Sequence, residues 1–148
     1  MASSTQTAAN KPPTKRKKII EPTLDDAFAT GRDMMNRSTK KMGAIETEDR
    51  RFRELFGVGP LVALLAWQLL NVHNLVPQGG TFLHLMWTLA FLKVYPTETV
   101  LAGLCGGCDT KTVRKWIWLF VYALSNLEPY VVSQLFVDDS SLLFLLCC

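Results

Sequence analysis

Two histidines and four cysteines in 148 residues leave little material for a metal site or a disulfide framework. His73 and His84 have no second ligand at i+3 or i+4, so each reads as a hydrogen-bonded or surface histidine. Cys105 and Cys108 form a CxxC, but zinc needs two more ligands, and Cys147 and Cys148 are adjacent rather than spaced by two to four. A redox pair of this kind belongs in a βαβ setting, whereas the flanks here are helical in pattern. Cys105 is therefore expected as a small core residue and Cys108 as a small turn residue. Neither a metal nor another cofactor is expected. The chain also opens without an apolar run: its first 18 residues are polar and basic, so no signal peptide is expected there and a reducing, intracellular location follows.

Charge is missing altogether from residues 55–92. Two apolar stretches fill this interval, separated by the breaker Pro77-Gln78-Gly79-Gly80. The first starts at Pro60, which suits a first helical position, and its Gln68, Asn71, His73 and Asn74 cluster towards one end. The second runs from about Phe82 to Tyr95. A membrane span needs about 20 consecutive apolar residues, and both stretches are shorter, so they are expected as buried helices; a membrane hairpin is the rival reading.

What charge there is lies unevenly. Residues 1–54 hold 12 basic and 8 acidic side chains, residues 55–148 hold 4 and 5, and the net charge is +3. Residues 11–18, KPPTKRKK, place Lys15, Arg16, Lys17 and Lys18 beside two prolines. Such a run suits a nuclear localisation signal or an arm that binds nucleic acid, or is simply a solvated tail. Residues 1–45 are accordingly expected to be a disordered basic arm and linker, with at most a turn or two of helix between 21 and 44. From about Glu46 a helix is expected, with Thr47 as cap, Glu48 and Asp49 favouring its N-terminal end, and Phe52, Leu55 and Phe56 as its apolar stripe.

Residues 95–120, YPTETVLAGLCGGCDTKTVRKWIWLF, follow the order of a helix-turn-helix. Pro96 disfavours helix at Tyr95, Thr97 can cap, and a short helix is expected from about 98 to 104. Gly106 and Gly107 stop it, with Gly107 as the turn glycine. Asp109 or Thr110 can cap the next helix, which runs to about 126, before Pro129. Ala102 and Gly103 are expected as the small contact between the two helices, and Val113, Trp116, Ile117 and Phe120 as the inner face, with Val121, Leu124 and Leu127 extending it. Lys111, Arg114, Lys115 and Trp118 share the outer face. Cations in a first turn oppose the helix dipole, which points to a polyanion as partner. Trp118 can stack on a base or pack against the helix that carries Phe52; packing is the expected role.

The phrases RRFRELFGV, HLMWTLAFLKVYPTETVLAGLCGG and DTKTVRKWIWLFVYALSNLEPYVV also resemble the N-terminal helix-turn-helix region of Harbinger-type DDE transposases and their domesticated relatives. The resemblance spans about residues 50–132. It implies a DNA-binding module that precedes an RNase H-like nuclease domain, in which an acidic triad holds two Mg²⁺. The chain departs from that pattern after 132. Asp138 and Asp139 are adjacent, and a carboxylate pair without distant partners cannot hold two metals. Residues 142–148 are a run of seven apolar residues, expected with the rest of 133–148 as an irregular, truncated tail.

Together these point to an all-α bundle over 46–132 that contains a helix-turn-helix. It is expected to bind double-stranded DNA in the nucleus without catalysing a reaction and without a small-molecule substrate. Thr110, Lys111, Thr112, Arg114 and Lys115 would face the DNA, and Lys15, Arg16, Lys17 and Lys18 would assist. A full-length transposase or a second copy of the chain is the expected protein partner. A protein-interaction bundle that does not bind DNA is the alternative.

Overall fold

A computed structural model describes residues 21–131, and among them every regular element is helical. Six helices follow in order: α1 Leu24–Met34, α2 Ile45–Phe56, α3 Pro60–Val72, α4 Phe82–Val94, α5 Glu98–Leu104 and α6 Thr110–Ser125. The expected all-α bundle is therefore the observed architecture. The basic arm with Lys15, Arg16, Lys17 and Lys18, and the tail from 132, lie outside the described residues.

Helix α1 corrects the expected linker over 21–44. Thr23 and Asp26 form a reciprocal cap: the Thr23 amide donates to the Asp26 carboxylate at 2.8 Å, and the Asp26 amide donates to Thr23 Oγ1 at 3.2 Å. These bonds hold the Asp26 carboxyl below its ordinary value, the Thr23 amide first and the Thr23 hydroxyl second. Ala27, Phe28, Gly31 and Met34 turn inward, and Phe28 meets Phe52 edge to face at 6.2 Å. Gly31 is the point of closest approach, since a Cβ there would stand 2.9 Å from the Phe52 ring. Among the described residues, regular structure thus begins with α1 at Leu24, a full helix and its following loop ahead of the start expected near Glu46.

The second correction concerns the start of α2. The helix begins at Ile45 behind Ala44, and no side chain caps it, so Thr47 lies inside the first turn. Glu48 does more than favour the helix dipole. It is 1% exposed and accepts hydrogen bonds from Arg51 Nη1 at 2.9 Å and the Gly43 amide at 3.3 Å, with Arg37 at 3.8 Å. Burial alone would raise the Glu48 pKa, but the Gly43 amide, Arg37 and Arg51 outweigh it and hold the carboxyl below its ordinary value. This carboxylate ties the loop between α1 and α2 to the core, and Arg32 of α1 holds the same loop by donating to the Arg37 and Lys40 carbonyls. Glu48→Gln is expected to cost about 2 kcal/mol, because a charged acceptor is lost and two arginines are left facing an amide. The sign of the pH dependence follows from the lowered pKa. The contribution is complete above the ordinary glutamate value near 4.5 and is lost as the pH falls below it, so acid unfolding of the wild type is steeper there than that of Glu48→Gln, as circular dichroism would show.

Helix α4 lies between α2 and α6 and buries Phe82, Leu85, Met86, Trp87, Thr88 and Ala90, as expected for a central helix that is apolar all round. Trp67 of α3 meets Phe82 edge to face at 5.9 Å and stacks on Phe120 of α6 at 6.3 Å, tying α3, α4 and α6 together. Only one side of α3 is used in this way. Leu61 is 67% exposed and Leu65 53%, and Val62 and Val72 are exposed with them. No single helix among the described residues is long and apolar enough to cross a membrane; α2 and α3 together are, but they meet at a 57° bend.

Candidate nucleic-acid interface

Residues 95–110 build the approach to α6. Tyr95 ends α4 in the left-handed region, at φ 51° and ψ 48°, and its amide donates to the Phe91 carbonyl at 2.9 Å. Pro96 turns the chain, and α5 makes two turns from Glu98 to Leu104, the range expected from the sequence. Thr97 occupies the cap position but makes no side-chain bond there. Gly106 and Gly107 both sit at left-handed φ, 78° and 75°, where a side chain would be strained, and the Gly107 amide closes the turn on the Ala102 carbonyl at 2.9 Å. Asp109 then caps α6, its carboxylate accepting the Thr112 amide at 3.1 Å.

The contact between the two helices is not the expected one. Gly103 is exposed and a Cβ there would meet nothing within 4 Å, and Ala102 is only half-buried. Leu101 and Cys105, four residues apart, point inward instead, which turns Gly103 to the outside. Burial pushes the Cys105 thiol up to about 12, with a smaller push from Cys108, so it stays protonated. Cys108 donates its S–H to the Cys105 carbonyl at 3.1 Å. Val113, Ile117, Phe120 and Ala123 fix the inner face of α6.

Trp116 sits at the boundary between faces. Its ring stacks on His84 at 4.1 Å and 7°, and Lys115 Nζ lies 5.7 Å above it. Both histidines are occupied in ring packing or capping. The Thr81 amide donates to His84 Nδ1 at 3.1 Å, and burial holds the His84 pKa below its ordinary value. His73 stacks on Tyr130 at 3.8 Å. Among the described residues no three His, Cys, Asp or Glu side chains are grouped to hold a metal.

The outward positions of α6 carry the residues singled out from the sequence. Lys111, Thr112, Arg114 and Lys115 are exposed, and Thr110 is half-buried at the helix start. Lys111 and Lys115 make no ion pair among the described residues. Arg114 does, with Glu98 of α5 across the turn. That pair has no local signal in the sequence, because 16 residues separate its members. Further along the same face, Trp118 is 58% exposed and Tyr122 70%. Trp118 does not pack on α2 as expected. Its ring meets the edge of Phe91 at the end of α4, at 6.4 Å, because α4 and not α2 lies beside α6. Phe52 instead packs with Phe28 and Phe56.

The result is one stripe along α6, Lys111, Lys115, Trp118 and Tyr122, at i, i+4, i+7 and i+11, cationic at its start and aromatic beyond. Charge elsewhere in the body cancels: residues 21–131 hold eleven basic and eleven acidic side chains. The chain's positive excess belongs to residues 11–18, which lie outside the described residues. Comparison with protein-family models, with curated proteins and with solved structures finds no match to this chain.

Proposed function

We propose that this chain binds double-stranded DNA, with the start of α6 in the major groove. The observation that supports it is the exposure of Lys111 and Lys115 in the first two turns of α6, without a carboxylate partner among the described residues, on a helix whose other face is locked into the core. Lys111 and Lys115 contact phosphate in this reading, Thr112 and Arg114 reach base edges, and Thr110 lies at the rim. The basic arm, with Lys15, Arg16, Lys17 and Lys18, adds phosphate contacts or enters a minor groove. Because the body is neutral overall, the arm supplies most of the long-range attraction and α6 the local fit. The resemblance to Harbinger-type transposases agrees with a nuclear DNA-binding module, and no catalytic step is assigned to it.

Four to six phosphate contacts give non-specific dissociation constants on the order of 10 to 100 μM near physiological salt. Fluorescence anisotropy with a labelled duplex tests this: affinity that falls steeply as salt rises supports the proposal, and no salt-sensitive binding up to about 100 μM removes it. Arg114 must leave Glu98 before it can touch a base. Glu98→Ala, which frees Arg114 and removes a negative charge beside the duplex, is expected to tighten binding about two- to fivefold, since an exposed pair is worth at most about 1 kcal/mol. The same anisotropy titration measures it.

A second reading, a protein-interaction bundle, draws on the exposed apolar side of α3.

A further inference from the structure

A cavity of about 140 Å³ opens where the end of α4, α5 and α6 meet, beside the stripe on α6. The buried side chains of Leu101, Val113 and Ile117 form its inner side, flanked by Phe91 and the exposed Trp118. A space of roughly 150 Å³ holds one six-membered ring. Three hydrogen-bonding side chains also line it, those of Glu98, Thr110 and Arg114. An apolar slot on which a few polar groups converge is the usual form of a small-ligand site. Its surroundings narrow the ligand class. On the same face of α6, Lys115 stands one turn and Lys111 two turns before Trp118, neither with a carboxylate partner among the described residues, and the exposed Tyr122 lies one turn beyond. A ring-sized slot with a polar edge therefore lies next to an exposed indole and two cations.

We infer that this cavity takes an unpaired nucleobase of a single-stranded nucleic acid. The base stacks on Trp118 with its face against the apolar lining, and the phosphates that flank it meet Lys111 and Lys115. Its edge meets the three polar side chains. Once the Arg114–Glu98 pair opens, Glu98 accepts from a ring N–H and Arg114 donates to a carbonyl, while the Thr110 hydroxyl does either. An aromatic side chain of a partner protein would also fit the slot, but it would leave the two lysines without a use. The inference rests on the DNA reading for its phosphate contacts and adds a base seat that a closed duplex cannot reach, because the bases there are stacked and paired.

The test uses the full-length chain and three labelled oligonucleotides of one length: oligothymidylate, the same backbone with every base removed, and a duplex. Anisotropy titrations at one low salt concentration are expected to show oligothymidylate bound about tenfold more tightly than the abasic strand, which carries the same phosphates. Trp118→Ala is expected to abolish that difference and to leave abasic and duplex binding unchanged. Trp118 is mostly exposed, so the variant keeps its fold, which circular dichroism checks. Equal affinity of the wild type for the two single strands would overturn the inference and leave the phosphate contacts of the DNA reading in place, whereas no salt-sensitive binding of any of the three would remove both. A tenfold difference that survives Trp118→Ala would also overturn it, by seating the base elsewhere. Irradiation of the complex with an oligothymidylate that carries one 5-iodouracil gives a second readout, for which mass spectrometry is expected to find the adduct on Trp118 or Phe91. Adducts confined to residues 11–18 or to α3 would contradict the assignment.

Discussion

On the proposed DNA-binding reading, replacing Lys111, Arg114 and Lys115 together by alanine is expected to lower the affinity for duplex DNA about 100-fold at 0.15 M salt and to reduce the slope of log affinity against log salt by nearly 3. The magnitude follows from counterion release, because each lost phosphate contact removes roughly 0.9 from the slope. All three side chains are exposed and lie opposite Val113, Ile117 and Phe120, so the melting temperature stays within a few degrees of wild type. Anisotropy titrations at three salt concentrations measure both quantities. A slope unchanged by the triple substitution would move the electrostatic contact off α6 and onto the basic arm alone. Thr112→Ala separates the roles further, since a base-edge contact changes the preference among duplex sequences whereas a phosphate contact weakens all of them alike.

Phe120→Ala is expected to lower stability by about 3 to 5 kcal/mol, a large share of the total for a domain of this size. Phe120 is fully buried where three helices meet: its ring stacks on Trp67 of α3 and lies 6.4 Å from that of His84 on α4. A Cβ on Gly80 would stand 3.0 Å from the ring, so the loop before α4 also closes against it. Little can collapse into the space, because the ring is held from α3, α4 and this loop at once. Denaturant unfolding measures the loss. Trp118→Ala serves as the contrast: it removes a larger side chain on the same helix, but one that is mostly exposed, and should cost under about 1 kcal/mol.

The punctuation of the second half was legible because single residues force it. Pro96, the Gly106-Gly107 pair and Asp109 set the ends of α5 and α6 through backbone geometry and capping, which act locally. Period alone then sorted α6 into the buried Val113, Ile117 and Phe120 and the exposed Lys111, Arg114 and Lys115. The first half was harder to read for a physical reason. The inner face of α1 is Ala27, Phe28, Gly31 and Met34, and at its closest contact with α2 the required residue is a glycine, which carries no hydrophobic signal. Glu48 looked like a helix-start acid because its partners, Arg37 and the Gly43 amide, come from a loop whose path the sequence does not reveal. Gly103 looked like a helix contact by its size, yet the rotation of α5 is decided by Leu101 and Cys105. The Arg114–Glu98 pair and the seat of Trp118 on Phe91 depend on how α5 and α4 are placed against α6, and no spacing rule encodes that.

The most direct measurement is an amide proton–nitrogen NMR titration of the full-length chain with a short duplex at low salt. The account predicts salt-reversible shifts concentrated at Thr110, Lys111, Thr112, Arg114 and Lys115, with further shifts in residues 11–18 and none along α3. Shifts confined to α3 or to the arm, or no shifts at duplex concentrations near 100 μM, would contradict the assignment of α6 as the DNA-reading helix.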